Sequence, residues 1–233
     1  LTGKKVNRFT HIHQSIEDLV NKVKMMRMIA QKTGTCFQRC VGFDAMNATF
    51  ITTYNMDKKY GTNYHERFKK WMTYVQENDL MIAGAMTDVK GNRSLKPSKQ
   101  ADPDLFTHVV EKREDGVVIC GAKAHMTGMA NSHEMLILPT TNLLDGDQDY
   151  AIACAVPVDA EGITHIFGRQ TNDQRRLQGD LDTGNSEYAI VGGETLTVLD
   201  HVFVPWDRVF MCGETDFAQD YVARFAAYHR QNY

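Results

Sequence analysis

Apolar positions recur at helical spacing through the first ninety residues of the chain. Ser15 followed by Asp18 has the form of a capping box, and Ile16, Leu19, Val20 and Val23 then return to one helical face. A second apolar segment, rich in small residues, runs from about Cys36 to Met56. From Tyr64 to Asn78, Phe68, Trp71, Met72 and Val75 form one stripe with Glu66, Lys69 and Lys70 opposite, which predicts an exposed amphipathic helix. The character changes near Ala85. Between Phe106 and Met211 short β-branched runs alternate with turn residues: FTHVVEKR, EDG and VVICGAKAH predict a hairpin, and MLILP, YAIACAVPV, THIFGRQ and TVLDHVFVP follow as further strands. Such spacing predicts an antiparallel barrel or sandwich rather than alternating β-α-β units. Helical periodicity returns at Asp216 and runs to Tyr233 without a capping residue, so the last helix reads as interrupted. The expected organisation is a helical N-terminal domain over 1–84, a central β domain over 85–213 and the start of a C-terminal helical domain over 214–233.

Composition narrows the function classes. With 42% hydrophobic and 24% charged residues over 233 positions, the chain suits a soluble globular enzyme with a sizeable core. A formal net charge of -3 gives no electrostatic basis for nucleic acid or an anionic membrane as the main partner. The sequence shows no apolar run of the roughly 18 to 20 residues a membrane span needs, and its start lacks the apolar core of a signal peptide, so a cytoplasmic location is expected. Five cysteines, an odd number, read as reduced thiols or metal thiolates rather than disulfide staples. Cys120 and Cys154 lie in apolar strand-like runs and read as inert core residues. Cys36 and Cys40, four residues apart, would present two thiolates on one helical face within reach of a common metal centre. Two core cysteines fit the same spacing, and neither the zinc-finger nor the ferredoxin pattern matches.

The strings CFQRCVGFDAMNA, KYGTNYH, ENDL, GAMTDVKGNR, DPDLF, EKREDG, GAKAHMTG, NSHE and RFAAYHRQNY occur in collinear order over nearly the whole chain. Together they resemble the 4-hydroxybutyryl-CoA dehydratase family, relatives of the flavin-dependent 4-hydroxyphenylacetate 3-monooxygenases. The resemblance implies an α+β, acyl-CoA dehydrogenase-like fold: a helical N-terminal domain, a central antiparallel β-barrel domain and a C-terminal helical bundle that is truncated here. It implies a [4Fe-4S] cluster with Cys36, Cys40 and His229 among its ligands, and a further cysteine expected three residues beyond Tyr233. It assigns FAD to Met86, Thr87, Lys90 and Arg93 and to His125 and Thr127, brings Gln38 close to the substrate, and makes Glu194 an active-site glutamate. The implied reaction is the radical dehydration of a CoA thioester, 4-hydroxybutyryl-CoA, to crotonyl-CoA, with vinylacetyl-CoA Δ-isomerase activity and a homotetrameric assembly. His229 would act as a base, assisted by Glu194 and Tyr233.

Without the resemblance, blander readings stand beside these. Lys90 and Arg93 fit a solvated turn, His125 and Thr127 a strand end, Glu194 a strand-edge turn and His229 an exposed helix position; His11, His13 and His65 read as surface or boundary residues. Two other functions fit the chain: a flavin-dependent phenol monooxygenase, in which Cys36 and Cys40 only pack, and a structural or metal-binding module without turnover.

Overall fold

Ser15 opens the first helix much as its capping pattern predicts. The computed structural model describes residues 1–33, 39–168 and 194–230, and no side chain is described at 33, 167 and 168. Helix α1 spans Ile16–Thr33. The Asp18 N–H donates to Ser15 Oγ (3.2 Å), while the Asp18 carboxylate accepts from the Gln14 N–H (2.9 Å) rather than from Ser15 itself. That backbone N–H holds the Asp18 carboxyl down at about 2. The apolar stripe read from the sequence is not the buried one: Ile16 is 81% and Val20 44% exposed, whereas Lys22 and Met26 are buried. A lysine turns inward because an acidic partner waits for it on the next helix.

That helix, α2, covers Cys40–Tyr60 and ends at Gly61, whose φ of 68° lets its N–H reach back to the Asp57 carbonyl. Helix α3, Tyr64–Glu77, buries Phe68, Trp71, Met72 and Val75 as its stripe predicts. Phe68 and Trp71 meet Phe210 with ring centroids 5.1 and 5.6 Å apart. A fourth helix, α4, spans Ala218–His229 and packs against α2.

The strands are β1 (Ile82–Ala85), β2 (His108–Lys112), β3 (Gly116–Thr127), β4 (Glu134–Ile137), β5 (Ile152–Pro157), β6 (Ile163–Gly168), β7 (Glu194–Pro205) and β8 (Val209–Cys212). The predicted hairpin is present as the antiparallel pair β2–β3. The expected barrel is not. The strands form two separate four-stranded sheets, ordered β1-β4-β5-β8 and β2-β3-β7-β6, with no strand pairing that joins them among the described residues. A barrel requires one continuous hydrogen-bonded register around its circumference. Here β1 pairs in parallel with β4, Ile82 opposite Glu134 and Ala85 opposite Ile137, so the first sheet is mixed and open. The short, wholly buried run IAGA carries no alternation that would announce such a strand.

No helix among the described residues is long and apolar enough to cross a membrane.

Candidate functional site

Two places in this framework gather the residues singled out in the sequence. The first lies where α1, α2 and α4 meet. Asp44, one turn along α2 from Cys40, is fully buried and divides its oxygens: Oδ1 accepts from the Lys22 ammonium of α1, and Oδ2 lies 2.9 Å from His229 Nδ1 of α4. Lys22, equally buried, also donates to the Tyr228 carbonyl (3.3 Å) and lies 5.0 Å from the centre of the Phe43 ring. Phe225 stacks on the His229 ring at 5.1 Å and 22°. Because Cys40 and Asp44 are separated by one helical turn, about 6 Å of rise, the buried Cys40 and His229 belong to one neighbourhood. Cys36, Gln38 and Tyr233 lie outside the described residues.

Nearby, His13 stacks on Tyr228 (5.8 Å) and tilts against Phe43 (4.9 Å). Neither ring nitrogen has a hydrogen-bond partner among the described residues, and burial, seconded by Lys22 and His11, brings its pKa down to about 4.

The first turn of α2 is pressed onto β1. A Cβ on Gly42 would sit 1.9 Å from the Ile82 carbonyl oxygen, and one on Gly84 would sit 2.5 Å from Val41 Cγ1. Only glycine permits this approach. It brings the Cys40 end of α2 beside the strand that runs on into Met86.

The second place is the seam joining Met86–Asp88 to β3. The Ala124 N–H donates to the Thr87 carbonyl (2.8 Å), and Lys123 donates to the carbonyls of Met86 (3.1 Å) and Leu138 (2.9 Å) while pairing with Asp88 (2.8 Å). Lys123 and Asp88 are 1% and 4% exposed. Burial lowers the Lys123 pKa, with Asp88 pulling the other way. Asp88 also accepts from the Thr107 N–H (3.0 Å) and hydroxyl (3.1 Å).

Just beyond Lys123 the register of β3 against β7 shifts, and His125 takes a φ of 57°, in the left-handed region. A bulge of this kind re-aims side chains. His125 swings out, its side chain 78% exposed, and its Nδ1 lies 3.0 Å from Glu194 Oε2, while the Thr127 hydroxyl donates to Glu194 Oε1 at 3.0 Å. Thr127 and Glu194 are register partners across the two strands. Lys90 and Arg93 line a cavity of about 380 Å³ together with Lys96, Phe106, Thr140 and Asn142. Its three cationic side chains and small polar groups suit a diphosphate.

The structure thus unites His125, Thr127 and Glu194 directly, ties Met86 and Thr87 to the strand that bears them, and places Cys40 and His229 at one junction. Lys22, Asp44, Asp88, Lys96 and Lys123 escaped the sequence reading. Only Asp44 and Lys123 carried a signal, each a charge inside an otherwise apolar run. The reading of Cys120 and Cys154 as core residues holds: both are buried, Cys154 is pushed up to about 12 by burial, and the Cys120 sulfur accepts the His201 N–H. His11, His13 and His65 are half-buried boundary residues.

The family described as 4-hydroxyphenylacetate 3-hydroxylase, N-terminal, matches residues 1–211. A 4-hydroxybutyryl-CoA dehydratase/vinylacetyl-CoA Δ-isomerase of Clostridium aminobutyricum is 56% identical over 100% of this chain, which covers 48% of that protein. An oxygen-tolerant archaeal 4-hydroxybutyryl-CoA dehydratase from N. maritimus superposes with a TM-score of 0.94 at 54% identity, covering 100% of this chain and 46% of its own. The FAD complex of the oxygenase component of a 4-hydroxyphenylacetate 3-monooxygenase superposes with a TM-score of 0.72 at 26% identity, over 97% of this chain and 45% of that one. Butyryl-CoA dehydrogenase of Megasphaera elsdenii shares the fold, with a TM-score of 0.58 at 14% identity over 95% of this chain and 52% of that one. The chain spans about half the length of the curated relatives it matches.

Proposed function

The chain belongs to the 4-hydroxyphenylacetate 3-hydroxylase N-terminal family, and from that premise we propose that the full-length protein is a 4-hydroxybutyryl-CoA dehydratase with vinylacetyl-CoA Δ-isomerase activity, assembled as a homotetramer. The reading rests on the 56% identity to a dehydratase over the whole chain, set beside 26% to the FAD-bound monooxygenase component. The observation that carries it is the junction where α2, bearing Cys40, and α4, bearing His229, meet through Asp44 beside the strand leading to Met86.

FAD would be held by Met86 and Thr87 at the ring, by Lys90 and Arg93 at the diphosphate, and by His125 and Thr127 from the bulge. A [4Fe-4S] cluster would take Cys36, Cys40, His229 and one further cysteine. The donor set fits, since an imidazole whose Nδ1 is engaged by a buried carboxylate is the usual form of a metal-ligating histidine. When bound, FAD supplies reversible one-electron transfer, and the cluster supplies a Lewis-acidic iron able to take the leaving hydroxyl.

The protein residues have their own tasks. With Nδ1 turned to Asp44, Nε2 is the nitrogen of His229 that serves as iron ligand or as base for the substrate proton. Glu194 holds the His125 ring and the Thr127 hydroxyl in one orientation and is a second proton acceptor at the bulge. Gln38 orients the thioester substrate and Tyr233 assists proton transfer.

Anaerobic purification of the full-length protein tests the reading. The expected product is brown, holds FAD with roughly four iron and four sulfide per subunit, and converts 4-hydroxybutyryl-CoA to crotonyl-CoA. An iron-free protein that hydroxylates phenols with reduced flavin would replace the dehydratase with a monooxygenase, and a protein inert in both assays would leave only a binding module.

A further inference from the structure

We propose that Asp44 is a positioning residue for His229, and that Lys22 is present to neutralise Asp44 so that this carboxylate can stay buried behind the imidazole. The proposal rests on the reading of His229 as an iron ligand.

Among the described residues, three helices each contribute one polar side chain to this junction: Lys22 from α1 and Asp44 from α2, both fully buried, and His229 from α4, 19% exposed. A buried ion pair is a poor device for stability, because removing two charges from water offsets most of their attraction. Here the pair does something an apolar pair cannot. Each Asp44 oxygen has a separate duty, one toward the ammonium and one toward His229 Nδ1 at 2.9 Å. An acceptor at Nδ1 keeps the proton on that nitrogen and assigns the lone pair to Nε2. Phe225, stacked at 5.1 Å and 22°, fixes the plane in which that lone pair points. A carboxylate behind a metal-bound histidine also makes the ring a stronger donor, and losing such a partner typically weakens metal binding by about 10- to 100-fold. Lys22 completes the arrangement, since an uncompensated carboxylate at 0% exposure would destabilise the three-helix junction.

The proposal is tested in the full-length holoenzyme with two double variants that both remove the ion pair and keep the volume, K22M/D44L and K22M/D44N. They differ in whether the position can still accept the Nδ1 hydrogen. The readouts are iron release to a chelator, cluster reduction potential, FAD content and thermal midpoint. K22M/D44L is expected to release iron about 10- to 100-fold faster than the parent and to raise the cluster potential, with FAD content unchanged; K22M/D44N recovers most of both effects. A merely structural pair would make the two variants behave alike, with iron release following the thermal midpoint. Parent-like iron release and potential in K22M/D44L would also overturn the proposal. H229A separates the two levels of the argument: if it keeps the iron as firmly as the parent, His229 is no ligand and the underlying reading fails; if it loses iron while K22M/D44L does not, only the role of Asp44 falls.

Discussion

Two buried lysine–aspartate pairs stand behind the two halves of the proposed site, and they are built differently. Among the described residues, Lys22–Asp44 turns its remaining valence to a side chain, His229 Nδ1, plus one helix-end carbonyl. Lys123–Asp88 spends its own on the main chain: the ammonium reaches the carbonyls of Met86 and Leu138, and the carboxylate holds the N–H and hydroxyl of Thr107. The first pair aims a functional group, whereas the second clamps three segments of backbone into the seam that carries the flavin residues. The same chemistry therefore has different consequences when it is removed.

The largest expected effect follows from that contrast. In K123M/D88L the Thr107 N–H and the Met86 and Leu138 carbonyls lose these buried partners, each worth about 1–3 kcal/mol, so denaturant titration should show a loss of several kcal/mol and reduced FAD content. K22M/D44L, which among the described residues leaves one backbone group, the Tyr228 carbonyl, without its partner, should lie within about 1–2 kcal/mol of the parent. Equal losses in the two variants would erase the distinction.

Next comes Gly42→Ala. A methyl 1.9 Å from the Ile82 carbonyl forces α2 away from β1, for about 1–3 kcal/mol. Because the shift moves the Cys40 end of the helix, iron per subunit should fall more than FAD does. Arg93→Met probes the cationic cavity alone: FAD binding measured by fluorescence should weaken by about tenfold to a hundredfold, the worth of a charge-assisted hydrogen bond, with iron content unchanged.

The smallest effect belongs to His13. Its folded pKa of about 4 lies below the ordinary 6.5, so the fold favours the neutral ring. The associated stability is complete above pH 6.5 and is lost as pH falls from 6.5 toward 4, because the unfolded chain binds the proton first. The ring is only half-buried, which limits this contribution to under about 1 kcal/mol. His13→Phe should abolish it, so that melting midpoints of parent and variant diverge between pH 7 and pH 5.

Where a signal was local it could be read without a structure. The α3 stripe, the start of α1 at Ser15 and the β2–β3 hairpin depend on neighbours a few residues apart, whose spacing dictates which face is apolar and where a turn must fall. Resemblance supplied the names of His125, Thr127 and Glu194, yet their meeting required β7 to pair with β3 across a bulge. The parallel pairing of β1 with β4 that opens the expected barrel, the inward turn of Lys22 and the ion pairs over sequence separations of 22 and 35 residues were settled in three dimensions. A charged residue in the sequence reads as a solvated face, since water is its ordinary partner. It can be buried only when folding delivers the opposite charge, and that partner lies beyond the reach of any local pattern.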